Sequence, residues 1–303
     1  MTILFLLLQK IYETSIFRAL IQGIWTIINT IKLFIFCVFN KKFIYHYGIF
    51  GKYGNVGDNI LYEQIEKLFD IYLDSNKTWY NRLAVGEITS LEVLLINKYC
   101  SMLIVGGHGL IMPESNKNNN SGWGFNIKIK NLKKINIPII FFSIGYNVFH
   151  GKDKFIPIFK EHIEECVRKS LFFGLRNYES IIEVKKYLPE NLQQKIKYQP
   201  CPTTVIGLYE RETLEVPFEK TNKIAVVVAF NKIKYRYNDN IKNVLEQLIN
   251  YAKYMQENGF DVDFLGHHLF DTYGKYTKYF KRRGFRILPL YKYTKNNIYK
   301  LYK

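Results

Sequence analysis

The run Ile49-Phe-Gly-Lys-Tyr-Gly-Asn-Val-Gly-Asp-Asn59 constrains the fold more than any other part of the chain. An apolar, aromatic stretch, 43–50, enters a turn carrying Gly51, Gly54 and Gly57. It leaves into 61–69, where apolar residues return at helical spacing. Strand, glycine turn, helix is an order that aims backbone N–H groups at an anion. Glycine suits such a turn because it bends tightly and lets a ligand approach the backbone. Asp58 or Asn59 is predicted to cap the helix. Capping alone does not explain three glycines, so Asn55, Gly57, Asp58 and Asn59 are candidate binding residues. A second turn, Ile104-Val-Gly-Gly-His-Gly-Leu-Ile111, repeats the design. Two such turns in one amino-terminal half predict a ligand-binding α/β enzyme.

The rest of the chain keeps that rhythm. Strands are predicted at 43–49, 101–105, 138–144, 171–174, 223–230 and 262–265. Helices are predicted at 59–73, 89–99, 155–169, 178–188 and 240–258. Short apolar runs separated by helices indicate parallel sheets covered on both faces. Ligands bind at the carboxyl ends of such strands, where both glycine turns fall. The predicted plan is an apolar helical segment at 1–42 and a Rossmann-like domain at 43–215. A second, partial one follows at 216–303, after charge and Pro217 break the pattern. That last part is short for units of about 30 residues per strand and helix. Residues 296–302 read as the start of a capped helix, so a carboxyl-terminal truncation is expected.

Residues 16–39 are long and apolar enough for a transmembrane helix. Arg18, Gln22, Thr26, Asn29 and Lys32 nevertheless recur at helical spacing and draw a thin polar stripe. A stripe favours a helix lying in the membrane interface, or packed on the protein, over one bathed in lipid, and the in-plane membrane helix is the first expectation. Lys41 and Lys42 would then lie at the cytoplasmic surface of the inner membrane.

The net charge of +17 draws phosphates, anionic lipid and nucleic acid alike. Without a basic arm, zinc-finger spacing or RNP-like motif, nucleic acid is not an expected partner. Cys37, Cys100, Cys166 and Cys201 lack the spacing of a disulfide framework or zinc site, and a reducing compartment fits them. The first three read as core residues. Cys201, bracketed by Pro200 and Pro202, has nothing nearby to activate a thiolate.

Other candidates sit at strand ends. Gly106, Gly107, His108 and Gly109 follow one strand, and Arg176 and Asn177 follow another. A guanidinium there can grip a phosphate or carboxylate in two places. Its structural alternatives are a solvated surface arginine or an ion pair with Glu179. His267 and His268 close a strand in the second half, and adjacent histidines make a poor zinc pair. Residues 113–124, rich in Asn and ending near Trp123, read either as compositional drift or as an active-site loop.

Taken in order, six pieces of the sequence resemble the polysaccharide pyruvyl transferase family. They are Gly54-Asn-Val-Gly-Asp58, Ile104-Val-Gly-Gly-His-Gly-Leu110, Ser121-Gly-Trp-Gly124, Ser143-Ile-Gly145, Gly174-Leu-Arg-Asn-Tyr-Glu-Ser180 and Pro200-Cys-Pro-Thr203. The resemblance implies two Rossmann-like domains of GT-B type with the site in the cleft. It implies transfer of pyruvate from phosphoenolpyruvate to a pair of sugar hydroxyls as a ketal, with no metal or organic cofactor. It implies a lipid-linked or nucleotide-linked sugar acceptor in bacterial surface-polysaccharide, exopolysaccharide or capsule synthesis. His108 stands where many relatives have glycine, and Asn177 where aspartate is common. The family's late Arg–His segment has no counterpart here, so no residue inherits its role; Arg176 and His108 are the catalytic candidates. The alternatives are a GT-B-like glycosyltransferase using a nucleotide sugar, or a non-catalytic remnant acting as a membrane-bound binding module.

Overall fold

The computed structural model describes residues 15–51, 55–73, 77–113, 118–148, 154–209, 221–230, 236–237, 240–272 and 275–290. The chain forms two compact units, Met1–Ile49 with Leu61–Thr204, and Phe50–Ile60 with Val205–Lys303. The N-terminal helix thus belongs to the first unit, and the glycine turn groups with the second. The boundary predicted at 215/216 lies outside the described residues, as does the helix start at 296–302.

The first unit is built on a six-stranded, wholly parallel sheet in the order β2-β1-β3-β4-β5-β6. Its strands are β1 (Phe43–Gly48), β2 (Trp79–Leu83), β3 (Cys100–Gly106), β4 (Ile139–Ile144), β5 (Phe172–Leu175) and β6 (Ile196–Tyr198). The helices that matter to the site and its support are α1 (Ser15–Phe39), α2 (Val56–Tyr72), α3 (Ser90–Tyr99), α4 (Ile158–Lys169) and α5 (Tyr178–Lys185). The period-2 alternation of a strand explains how both faces are filled. Tyr45, Tyr47, Leu103, Val105 and Phe141 enter one core, with Trp123 and Phe125. Ile44, Ile104 and Ile140 enter the other, against Ile65 of α2.

α3 begins with a complete capping box. Thr89 accepts from the Glu92 amide, and the Glu92 carboxylate accepts from the Thr89 amide. The other oxygen of that carboxylate takes the Nε–H of Arg82 at 3.1 Å, and both side chains are fully buried. The guanidinium also donates to the carbonyls of Leu83, Val85 and Glu87. One buried arginine therefore holds the loop after β2 in place.

α1 rests on that loop, and Thr26 and Asn29 of its polar stripe point inward. Asn29 Nδ2 donates to the Val85 carbonyl at 3.1 Å, and Tyr80 donates to the Asn29 carbonyl at 3.1 Å. The Glu87 amide donates to Thr26 Oγ1 at 2.9 Å. Leu33 and Cys37 are buried on the same side. Cys100 and Cys166 are buried too, as expected of small core residues.

The second unit holds a three-stranded parallel sheet, β7 (Lys223–Val228), β8 (Asp261–Gly266) and β9 (Ile287–Pro289), with β8 central. Its main core packs α6 (Ile241–Glu257) against β8 through Leu245, Ile249, Val262 and Phe264. β7 was expected to be buried throughout. It is an edge strand whose residues alternate between half-buried and exposed up to Val228.

Candidate functional site

In the first unit three strand ends meet through their backbones. The Gly107 amide donates to the Phe142 carbonyl at 2.7 Å, the Gly145 amide to the His108 carbonyl at 2.8 Å, and the Arg176 amide to the Ile144 carbonyl at 3.0 Å. This knits the ends of β3, β4 and β5 into one edge. Gly106, Gly107, His108, Gly109, Arg176 and Asn177 all lie on it.

The Arg176 side chain folds over the backbone of Gly145. A Cβ at 145 would lie 2.6 Å from the guanidinium carbon, so any larger residue there would displace the arginine from this position. Arg176 is half-buried, and among the described residues it forms no ion pair. Of the two structural alternatives, the bridge to Glu179 is not formed, and the side chain keeps part of its surface in solvent. Asn177 has a definite local job. Its Oδ1 accepts the Ser180 amide at 2.8 Å and caps α5. Ser180 Oγ in turn accepts the Tyr146 amide at 2.9 Å, which fixes the loop beside Gly145.

The glycines of the 106–109 turn have packing reasons as well. Gly107 has φ +69°, and a Cβ there would meet Leu61 at 2.8 Å. At Gly106 it would meet Ile65 at 2.8 Å and His46 Nε2 at 3.0 Å. His108 is buried with φ +66°, a conformation uncommon outside glycine. Its ring lies 6.3 Å from that of Tyr62.

Sequence reasoning missed His46, which lies under this turn. Its ring stacks on Tyr62 at 3.7 Å, and Nδ1 lies 3.1 Å from the Glu66 carboxylate. Burial, with His108 nearby, holds the His46 imidazole well below its ordinary pKa. Burial and Asp70 push the Glu66 carboxyl up to about 7. Nothing in the local sequence marks the pair, because the partners come from a strand and a helix 20 residues apart.

In the second unit the structure brings the first glycine turn to His267. The Val56 amide donates to the His267 carbonyl at 3.2 Å, and Val56 packs with Leu265 and Leu290. Asn55, not Asp58 or Asn59, caps α2. Its Oδ1 accepts the Gly57 amide at 2.8 Å, and its carbonyl accepts the Asp58 and Asn59 amides. Asn59 instead closes the glycine turn through two bonds to the Gly51 backbone. Gly54 lies outside the described residues. Burial lowers the pKa of His267 and of His268, and the charges of Asp271 and Asp58 oppose it. Asp271, which sequence did not single out, accepts from the Phe230 amide at 2.6 Å and the His268 amide at 2.8 Å. It thereby ties the ends of β7 and β8 together.

Residues 114–117 lie outside the described residues, but the rest of the Asn-rich loop is structural. Asn118 is buried and accepts from the Ser121 amide and hydroxyl, while its Nδ2 donates to the Trp123 carbonyl at 2.7 Å. Trp123 itself is in the core. Among the described residues no three His, Cys, Asp or Glu side chains are grouped to hold a metal.

Two solved structures show a loose overall likeness. The wall teichoic acid polymerase TagF is 12% identical over 86% of this chain, with a TM-score of 0.40. A UDP-N-acetylglucosamine 2-epimerase from Rickettsia bellii is also 12% identical over 86% of this chain, with the same TM-score. The chain spans 63% of the polymerase and 71% of the epimerase, and neither likeness bears on activity. No curated protein sequence matches the chain. The family model for polysaccharide pyruvyl transferases matches residues 40–299, which takes in both glycine turns, Gly145, Arg176 and His267. The chain belongs to the polysaccharide pyruvyl transferase family.

Proposed function

We propose that the chain transfers pyruvate from phosphoenolpyruvate to two hydroxyls of a lipid-linked or nucleotide-linked sugar, at the cytoplasmic face of the inner membrane. The observation that carries this reading is the Arg176 guanidinium, laid against Gly145 at a sheet's carboxyl edge with no carboxylate partner among the described residues. A half-buried fork of donors suits a small substrate bearing both phosphate and carboxylate. In the reaction an acid protonates the enol methylene to a methyl group. One sugar hydroxyl then adds to the adjacent carbon, and the second displaces phosphate and closes the ketal. Each hydroxyl gives up its proton as its bond forms; one proton restores the acid and the other leaves with phosphate. His108, held on the same edge, is the candidate acid in this scheme.

Isothermal titration tests the donor. Arg176→Ala should weaken phosphoenolpyruvate binding by about 1.5–3 kcal/mol, the usual worth of a charge-assisted contact. Gly145→Ala should weaken it in the same direction, because the new Cβ takes the space the guanidinium fills. Unchanged affinity in both variants removes Arg176 from the site. Saturable binding of nucleotide sugars, with none of phosphoenolpyruvate, replaces this reading with a glycosyltransferase.

A further inference from the structure

α1 docks through a mixed face, which holds Leu33 and Cys37 beside its polar residues, and turns an apolar row outward. Its polar residues Thr26 and Asn29 are bonded to the first unit, while Leu20, Ile24, Ile27, Ile31, Phe34 and Val38 are exposed on the opposite face. A helix that packs on a protein in water normally does the reverse. α1 is also 21 residues long over its most apolar part, Ala19–Phe39, enough by length and composition to cross a bilayer. The contacts of its inner face argue against crossing. Gly86, at φ +83°, comes so close that a Cβ would lie 2.8 Å from the Thr26 backbone nitrogen. Lifting α1 away would strand Asn29 and uncover Phe43, Tyr80 and Ala84.

Charge points to what covers the outer face. Ser15–Phe39 contains no acidic residue. Lys32, Lys41 and Lys42 are exposed along it or at its end. α3, which packs against α1, adds exposed Leu91, Leu94 and Lys98, while its one carboxylate, Glu92, is buried against Arg82. An apolar stripe whose exposed charges, among the described residues of α1, α3 and 40–42, are lysines matches an anionic lipid surface. Two copies of the stripe would bring like charges together, and lysine is depleted from stable protein interfaces.

We infer that α1 is a monotopic anchor. It lies in the plane of an anionic bilayer with its Leu20–Val38 face in the lipid, while its Thr26–Asn29 face stays docked on the first unit. This deepens the membrane location in the proposed function and rests on that reading for location alone.

The test uses the full chain and preformed vesicles, of phosphatidylcholine alone or with phosphatidylglycerol. Flotation should recover the protein with the anionic vesicles at least about tenfold better than with the neutral ones. Bound protein should transfer to a second vesicle population, which a spanning helix does not do. Ile27→Glu, Ile31→Glu and Phe34→Glu combined should lower vesicle binding by at least about tenfold while phosphoenolpyruvate titration is unchanged, showing an intact unit. Lys41→Gln with Lys42→Gln should narrow the gap between the two vesicle types. Failure to transfer, full binding by the triple variant, equal binding to both vesicles, or a vesicle-indifferent dimer would each overturn the anchor. None of these outcomes touches the donor chemistry, which the titration reads separately.

Discussion

Replacing Arg82 with Met is expected to cost the first unit about 3–5 kcal/mol, the usual loss when one partner of a buried ion pair is removed. The loss has two sources. Glu92 loses its cationic partner in a fully buried position, where only the Thr89 amide and the Tyr45 hydroxyl remain as donors to it among the described residues. The carbonyls of Leu83, Val85 and Glu87 lose their donor as well. All three tryptophans, Trp25, Trp79 and Trp123, lie in the first unit, so their fluorescence in urea follows that unit alone. The double variant Arg82→Met with Glu92→Gln should recover part of the loss, because no unpaired carboxylate remains and the amide can still complete the capping box. A double variant no better than the single would show that the loop carbonyls, not the buried charge, carry the cost. The effect should extend to α1, since the carbonyl of Val85 and the amide of Glu87 hold Asn29 and Thr26.

The alternating α/β plan was legible because buried parallel strands announce themselves as short apolar runs, and every strand expected on that basis is present. β2, β6 and β9 were not legible. β2 carries Asn81 and Arg82 in five residues, and Arg82 reads as a surface charge until its buried partner is known. β6 and β9 have three residues each, too few to show any period. Asp58 and Asn59 were the expected caps of α2, but Asn55, three residues before Asp58, is the residue that caps it. The choice of Asn55 rests on where the first helical turn closes, which only coordinates reveal. The strand-end motifs were correctly placed, but their glycines answer to packing as well as to any ligand, as Gly106 against His46 and Ile65 shows. The stripe on α1 was visible, yet its direction was not. Helical spacing marks two faces without saying which one meets the protein, and here the bonds to Val85 and Glu87 decide it.

Acid should weaken the first unit through His162. This histidine on α4 is buried in the Trp123 core. It accepts the Trp123 indole N–H at Nδ1, 2.9 Å away, and its Nε2 donates to the Ile127 carbonyl at 2.8 Å. Both bonds are satisfied only by the neutral ring, and protonating Nδ1 would set two donors against each other. Burial lowers the His162 pKa to about 4, against the partial opposition of the Ile127 carbonyl. Above pH 6.5 neither the folded nor the unfolded chain protonates this site, and its contribution is complete. As pH falls from 6.5 towards 4 the unfolded chain takes up a proton that the folded chain refuses, so stability drops. Below about 4 both forms are protonated and the loss levels off at about 3 kcal/mol. His46 shifts in the same direction and Glu66 in the opposite one, so the wild-type curve alone does not isolate His162. His162→Gln does, because glutamine offers an acceptor to Trp123 and a donor to Ile127 without titrating. Urea unfolding followed by tryptophan fluorescence at pH 7 and pH 4 should show the variant less stable at pH 7. Its further loss on acidification should be smaller than the wild type's by about 2–3 kcal/mol. Parallel losses in the two proteins would mean that the buried ring accepts its proton as readily as the unfolded one does, and that another group sets the acid limit of the fold.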